Sequence, residues 1–205
     1  MKAIVAIVIV GIVAYNSVYF RKLDEHKASG VAKEFDAIGY AKTFWEKKLP
    51  QRLDSAIELG VLKEMLSTDP GNAFAQHSHA LGIGNLRYFL VKETGVVTNV
   101  GSDDIRLDKG VKVATEFIFG NSVRDASGLV NVNEFTNTMD FNNVSAEINK
   151  IIREQVLPPF KASVKKESKV KVIGAIELNK EHLDLSDIEI IPVQLELVDT
   201  ENAGN

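Results

Sequence analysis

Apolar residues in the first half of the chain recur every three or four positions, as on the buried face of an amphipathic helix. In the first such stretch they are Val31, Phe35, Ile38, Ala41, Trp45 and Leu49. Pro50 is expected to end this helix, and a second helix is predicted over residues 51–67. A third helix is predicted over residues 73–81, opening at Asp69 with Pro70 as its first residue. The short joint between the first two predicts an antiparallel helical hairpin.

From Tyr88 onwards the apolar spacing changes to two, which is typical of strands with one buried face. The predicted strands cover residues 88–99, 105–108, 111–119, 129–135, 169–178 and 187–197. A helix over residues 142–157 is predicted to end at Pro158. The parity of apolar positions reverses between Ile190 and Ile191 beside Pro192, which predicts a bulge or an edge strand. With three of the four strands before the helix taken as barrel strands, the order of three strands, a helix and two strands favours an α+β chain containing an OB-like barrel of five strands.

The N-terminus carries an uncharged run from Ala3 to Phe20. As a helix this run would be about 27 Å long, enough to span a bilayer. A cleaved signal peptide is the competing interpretation, because residues 3–14 match its apolar region in length, but no small-x-small cleavage pattern follows. A buried core helix is the third interpretation of this run. The pattern favours an uncleaved signal anchor, whose orientation the surrounding lysines and arginines leave open.

Composition narrows the class of protein. The 205 residues suffice for one substantial domain or two small ones. A net charge of -4 argues against nucleic acid as a partner. The absence of cysteine excludes disulfides, thiolate metal sites and thiol catalysis. The predicted divisions are an anchor and juxtamembrane segment (1–27), a helical region (28–85), the barrel (86–198) and a frayed tail (199–205).

An asparagine-rich stretch, residues 121–149, is the most unusual part of the sequence. It does not fit a calcium loop, since a loop starting at Asp125 would have Val130 at its glycine position and Thr136 at its glutamate position. His77 and His79, two residues apart in a predicted helix, should diverge rather than share a metal. No nucleophile elbow and no phosphate loop occurs in the sequence. We therefore predict no catalytic residue, no metal and no cofactor.

Arg124 and Asp125 are the strongest candidates for ligand binding, because a guanidinium fork and a carboxylate suit a polar ligand. Asn131 and Asn133, on one face of a predicted strand, and Asn137 are further candidates. The alternative is that Arg124 and Asp125 form an internal ion pair. In a ligand site, Arg124→Ala should weaken binding and spare stability, whereas an internal pair predicts a loss of stability. Asn142 and Asn143 are predicted helix caps.

The stretch reads F-x-x-G-x-x-x-RDA followed by VNEFTNTMDFNNVSAEIN, with WEKKLP upstream and VIGAIEL and IIPVQLEL downstream. Taken together, residues 35–197 resemble the bacterial domain-of-unknown-function 2291 family of predicted periplasmic lipoproteins. The resemblance implies an exported, membrane-attached domain, often encoded beside sugar ABC transporters, with no established activity. Because acylation needs a cysteine, the apolar N-terminal helix is expected to anchor this chain to the inner membrane, facing the periplasm.

These observations lead to three functional hypotheses. The first is an anchored accessory module that binds a small polar ligand or a sugar-transport component, with the asparagine-rich stretch on the face of barrel strands two and three. The second is an envelope enzyme with an irregular carboxylate or histidine site acting on sugars. The third is a purely structural role in an envelope complex.

Overall fold

The computed structural model describes residues 35–198, and the predicted anchor and tail lie outside them. The helices are α1 (Ala37–Thr43), α2 (Pro50–Leu53), α3 (Leu59–Thr68), α4 (Pro70–His77), α5 (Ser122–Ala126), α6 (Thr138–Ile151) and α7 (Leu157–Lys161). The strands are β1 (Ile57–Glu58), β2 (Ser78–His79), β3 (Leu86–Val100), β4 (Asp104–Leu107), β5 (Val111–Ala114), β6 (Lys169–Asn179) and β7 (Ile188–Leu197). Within this part of the chain, no helix combines the length and apolar character needed to cross a membrane.

Five strands close into a barrel. Their order is β3, β4, β5, β7 and β6, and β6 pairs again with β3. The β5–β7 pair is parallel and the other four are antiparallel. Helix α6 lies between the third and fourth barrel strands in the sequence. The predicted barrel topology is therefore confirmed.

Strand β3 serves two parts of the sheet. Its residues from Leu86 to Val96 pair with β6, its N-terminal half also pairs with β1 and β2, and its last residues pair with β4. From Tyr88 to Val91 every residue is buried, while burial alternates around Val97. The first half is thus covered on both faces, and the second half has the one-sided burial of a barrel wall.

A bulge interrupts the β6–β7 ladder next to Pro192. Ile173 pairs with Gln194, but Gly174 pairs with Pro192, so β7 has one extra residue there. A side chain on Gly174 would collide with the backbone of Ile191, so this close approach requires glycine. The bulge predicted from the parity reversal is confirmed.

The helical hairpin predicted for residues 31–67 is wrong. A π-helical segment, Phe44–Lys48, carries the first helix past Pro50 into α2, because its wider hydrogen-bond spacing accommodates the missing proline N–H. The predicted second helix is then interrupted where Ile57 and Glu58 pair in parallel with β3. Helix α1 packs against α6 instead, and α3 packs against α4.

Two strand predictions and one helix prediction also differ from the structure. Residues 129–135 contain a 3-10 turn, Val132–Glu134, rather than a strand. Strand β5 ends at Ala114, although the alternation continues as exposed Phe117, buried Ile118 and exposed Phe119. Helix α4 starts at Pro70 with Asp69 as its cap, as predicted, but ends at His77 because Ser78 and His79 pair with β3. Alternating polarity alone does not make a strand without a neighbouring backbone to pair with.

Candidate functional site

The short helix α5 carries Arg124 and Asp125. It packs against β3 and β6, so the two residues do not lie on the face of β4 and β5 expected from the sequence. Every residue of α5 is buried. The helix is followed by a turn in which Ser127 Oγ donates to the Arg124 carbonyl and Gly128 takes a positive φ of 64°. This turn fixes the direction in which α5 presents its side chains.

Arg124 and Asp125 form a buried ion pair. Arg124 Nε lies 2.6 Å from Asp125 Oδ1, and each side chain is only 2% exposed. Arg124 Nη1 donates to the Phe141 carbonyl at 3.1 Å, and the guanidinium lies 3.4 Å above the centre of the Phe141 ring. The guanidinium is thus held on its edge and on its face by the protein itself. Arg124 therefore acts as a positioning residue for Asp125 and not as a free fork.

An aromatic ladder connects this pair to α1. The Phe141 ring lies 5.2 Å from Phe135, and Phe135 lies 5.4 Å from Tyr40. The Tyr40 hydroxyl donates to Glu134 at 2.8 Å, and burial together with this carboxylate raises the pKa of Tyr40. The RDA, NEF and MDF segments of the asparagine-rich stretch thus meet in one stacked cluster.

A cleft of about 280 Å³ with both polar and apolar lining opens beside the ion pair. Its lining comes from the loop before β3, from β3 itself and from the start of α5: Ala80, Gly82, Ile83, Gly84, Asn85, Leu86, Tyr88, Asn121 and Asp125. The contact with Arg124 uses Asp125 Oδ1, and Oδ2 makes no hydrogen bond within residues 35–198. Burial raises the pKa of Tyr88 to about 12, and the negative charges of Glu177 and Asp125 and a hydrogen bond to the Glu177 carboxylate add to the effect. The phenol is therefore a protonated donor at neutral pH.

This arrangement offers hydrogen-bond donors and acceptors to an uncharged polar molecule. The carboxylate of Asp125 accepts, the phenol of Tyr88 donates, and the amides of Asn85 and Asn121 do both. Ile83 and Leu86 add apolar surface at the rim, where both are exposed. A few fixed polar groups beside apolar side chains are typical of small-ligand sites.

The asparagine candidates are placed differently. Asn131 caps the 3-10 turn by accepting from the Asn133 backbone N–H, and the side chains of both residues are exposed. Asn137 is the N-cap of α6. Helix α6 starts before Asn142 and Asn143, so the prediction that these two cap it is wrong. Of the five candidates, Asp125 contributes to the lining of the cleft, and Arg124 pairs with it.

Replacing Asn137 with alanine is expected to lower the free energy of unfolding by about 1 kcal/mol. The Asn137 Oδ1 atom accepts from the Asp140 N–H at 2.8 Å, and its amide donates to the Asp140 carboxylate at 2.7 Å. Urea denaturation of both variants would test this, with Asn143→Ala as the matched control on the exposed face of α6. An equal loss of stability in the two variants would contradict the capping role.

Sequence reasoning missed Asn85, Tyr88 and Asn121. Tyr88 has the pattern of an ordinary strand residue, and Asn121 precedes a helix too short to produce a periodic signal. The available signal was the glycine-rich segment Gly82-Ile83-Gly84-Asn85, because a loop without bulky side chains leaves room for a ligand beside the backbone.

A closed five-stranded sheet with strand order β3-β4-β5-β7-β6 and a helix after its third strand defines the OB-fold proteins. In agreement, the chain is similar to an OB-fold protein from Thermotoga maritima, whose crystal structure matches with a TM-score of 0.72 and 26% identity. That match covers 81% of this chain and 100% of the other. The chain belongs to the DUF2291 family, described as predicted periplasmic lipoproteins, whose sequence profile matches residues 8–196. No curated protein matches the chain.

Membership of this family places the protein in the cell envelope, facing the periplasm. The sequence contains no cysteine, so the lipid of a lipoprotein has no attachment residue within it.

Proposed function

We propose that the protein is an exported accessory module that binds a small polyhydroxylated ligand, such as a sugar, in the cleft beside Tyr88 and Asp125. The observation that carries this proposal is the Asp125 carboxylate, held by Arg124 through one oxygen while the other remains unbonded at the cleft. Sugars are bound in proteins by such combinations of carboxylates, amides and aromatic residues, because each hydroxyl both donates and accepts.

The proposal includes a membrane anchor and a transport partner. The uncharged run from Ala3 to Phe20 supports anchoring in the inner membrane, with the barrel in the periplasm. The resemblance to proteins encoded beside sugar ABC transporters supports a sugar-transport component as the partner. An accessory module tethered at the membrane would hold its ligand close to such a transporter.

Replacing Tyr88 with phenylalanine is expected to weaken sugar binding by about tenfold while the fold remains intact, because one hydrogen bond to the ligand is lost. Calorimetric titration of the full chain in detergent, against a panel of neutral monosaccharides, measures this effect. Thermal unfolding with the same panel identifies the ligand, since saturation at a hundred times the dissociation constant adds about 2.7 kcal/mol.

Tyr40→Phe is the matched control, since it removes the same hydroxyl from a tyrosine that bonds Glu134 outside the cleft. It should leave affinity unchanged. Equal affinity of the wild type and both variants would show that the sugar binds elsewhere on the protein. If no sugar changed the thermal stability, the proposed ligand class would be wrong.

A sugar-cleaving enzyme is the alternative function. It would need two carboxyl groups across a cleft, one of them with a raised pKa. Burial raises the pKa of Glu189, but this residue lies beside Lys112 on the β5–β7 pair and not in the lining of the Tyr88 cleft. Turnover of a glycoside by the full chain would favour the enzyme over the binding module.

A further inference from the structure

A second cleft, of about 230 Å³, lies next to the first. Ala126 of α5 and His79 of β2 line it, while their sequence neighbours Asp125 and Ala80 line the Tyr88 cleft. The polar residues of its lining are Arg52, Ser55, Gln76, His77 and His79, and the apolar ones are Ile57, Leu90 and Ala126. The described lining thus contains an arginine and two histidines but no acidic residue.

The backbone at the end of α4 brings the two histidines together. In a continuous helix, His77 and His79 would point in divergent directions, which is what their spacing predicts. Helix α4 ends at His77, however, and Ser78 and His79 pair with Phe89 and Tyr88 of β3. The prediction that both histidines lie in one helix is therefore wrong, and both contribute to the lining of this cleft.

Gly128 holds the His79 ring in place. A Cβ atom at Gly128 would lie 2.7 Å from His79 Cε1 and 2.9 Å from Nε2, so the imidazole packs directly against the glycine backbone. The φ of 64° at Gly128 also disfavours other residues. The imidazole position is therefore fixed before any ligand arrives.

The charge of Arg52 has no ion-pair partner among residues 35–198. Arg52 Nε donates to the Ser127 carbonyl at 3.1 Å, and its side chain is partly buried. The nearby Glu58 pairs with Lys92 at 3.7 Å. The terminal nitrogens of the guanidinium remain available as a two-pronged donor.

The positive charge of Arg52 disfavours a second positive charge on His79. Burial lowers the pKa of His79 below its usual value, and the charge of Arg52 lowers it further. An anion between these groups would cancel the repulsion and would accept from the guanidinium and from both imidazoles. In a chain with a net charge of -4, a half-buried basic cleft without an acidic side chain is an exception that a ligand would explain.

We infer that the cleft of Arg52, His77 and His79 is an oxyanion site for a phosphate group, either free or as a monoester. The planar guanidinium matches two oxygens of a phosphate, and the two histidines of the lining supply further N–H donors. The volume of 230 Å³ holds a phosphate with a small group attached, since it equals about eight water molecules at roughly 30 Å³ each. This site is independent of the sugar cleft proposed above.

Calorimetric titration of the full chain in detergent with sodium phosphate, at constant ionic strength and pH 6.5, tests the inference. We expect saturable binding with one site, weakened at least about tenfold in Arg52→Gln because the charged fork is lost. Glucose 1-phosphate is the second probe: binding that is tighter than that of phosphate and is weakened by Arg52→Gln but not by Tyr88→Phe indicates a monoester ligand at this site, and equal binding indicates free phosphate. Sodium sulfate tests whether the site separates phosphate from other oxyanions.

Arg106→Gln is the matched control, because it removes the same charge from a side chain on β4 that is 56% exposed and paired with Asp104. Its phosphate affinity should equal that of the wild type. If Arg52→Gln unfolds, His77→Gln serves as the second variant, with an expected loss of several-fold. Absence of saturable binding to the wild type, or an equal loss in Arg106→Gln, would overturn the proposed site.

Discussion

Replacing Arg124 with alanine is expected to lower the free energy of unfolding by about 3–5 kcal/mol, since it leaves a buried carboxylate without its partner. Asp125 is 2% exposed, and its Oδ1 accepts a 2.6 Å hydrogen bond from Arg124. The same change removes the hydrogen bond to the Phe141 carbonyl. It also removes the contact between the guanidinium and the Phe141 ring. The loss is a large fraction of the roughly 5–15 kcal/mol by which a domain is stable, so the unfolded fraction of the variant should rise.

Urea denaturation of the wild type and the variant measures this loss. Arg106→Ala is the matched control, and its exposed pair with Asp104 at 3.5 Å should contribute at most about 1 kcal/mol. The double variant Arg124→Ala/Asp125→Ala should be less destabilised than the sum of the two single variants, because neither charge is then left buried alone. A loss below about 1 kcal/mol in Arg124→Ala would show that the pair is not buried in solution.

Replacing Phe89 with alanine is expected to destabilise the protein by about 3–5 kcal/mol through loss of apolar burial and creation of a cavity. Phe89 is fully buried, pairs with Ser78 on one side and Ile176 on the other, and its ring lies 5.3 Å from that of Phe74. It therefore joins α4, β2, β3 and β6 at one point. The cavity would lie in the part of the sheet that carries both clefts.

Phe117→Ala is the control for Phe89, since it deletes the same ring from a residue that is 61% exposed. Its effect on unfolding should stay within about 0.5 kcal/mol. Thermal and urea unfolding of both variants measure the free energy of unfolding. The comparison shows whether the loss of stability comes from the buried position of Phe89 or from the loss of any phenylalanine ring. Similar stabilities of the two variants would contradict the position of Phe89 in the core.

The barrel could be predicted from sequence because its strands bury one face and α6 buries one stripe. Each of these patterns is local, and it appears within ten to fifteen residues. The failures arose where distant backbone decides the structure. Residues 57–58 have helical periodicity but pair with β3, and residues 129–135 alternate without any strand beside them. A single sequence contains no signal for the presence or absence of such a partner.

The site was predictable only in part, for the same reason. The adjacency of Arg124 and Asp125 is visible in the sequence, but their burial depends on Phe141, which lies 17 residues further on. The asparagines suggested a ligand by composition, although Asn131 and Asn137 have a local explanation as caps. His77 and His79 were assigned opposite directions because the end of α4 depends on pairing with β3.

The long pairing between β3 and β6 also sets the order in which the protein folds. Leu86 pairs with Asn179 and Val96 with Lys169. The first barrel strand to be synthesised, β3, therefore cannot complete its pairing until β6, the fourth, has been made. Loop closure over such a separation is slow, and the unpaired edge of β3 is open to wrong partners until β6 arrives. For a chain that reaches its compartment by export, we expect barrel closure to follow translocation of the C-terminal strands. The clefts beside β3 are then among the last features of the molecule to form.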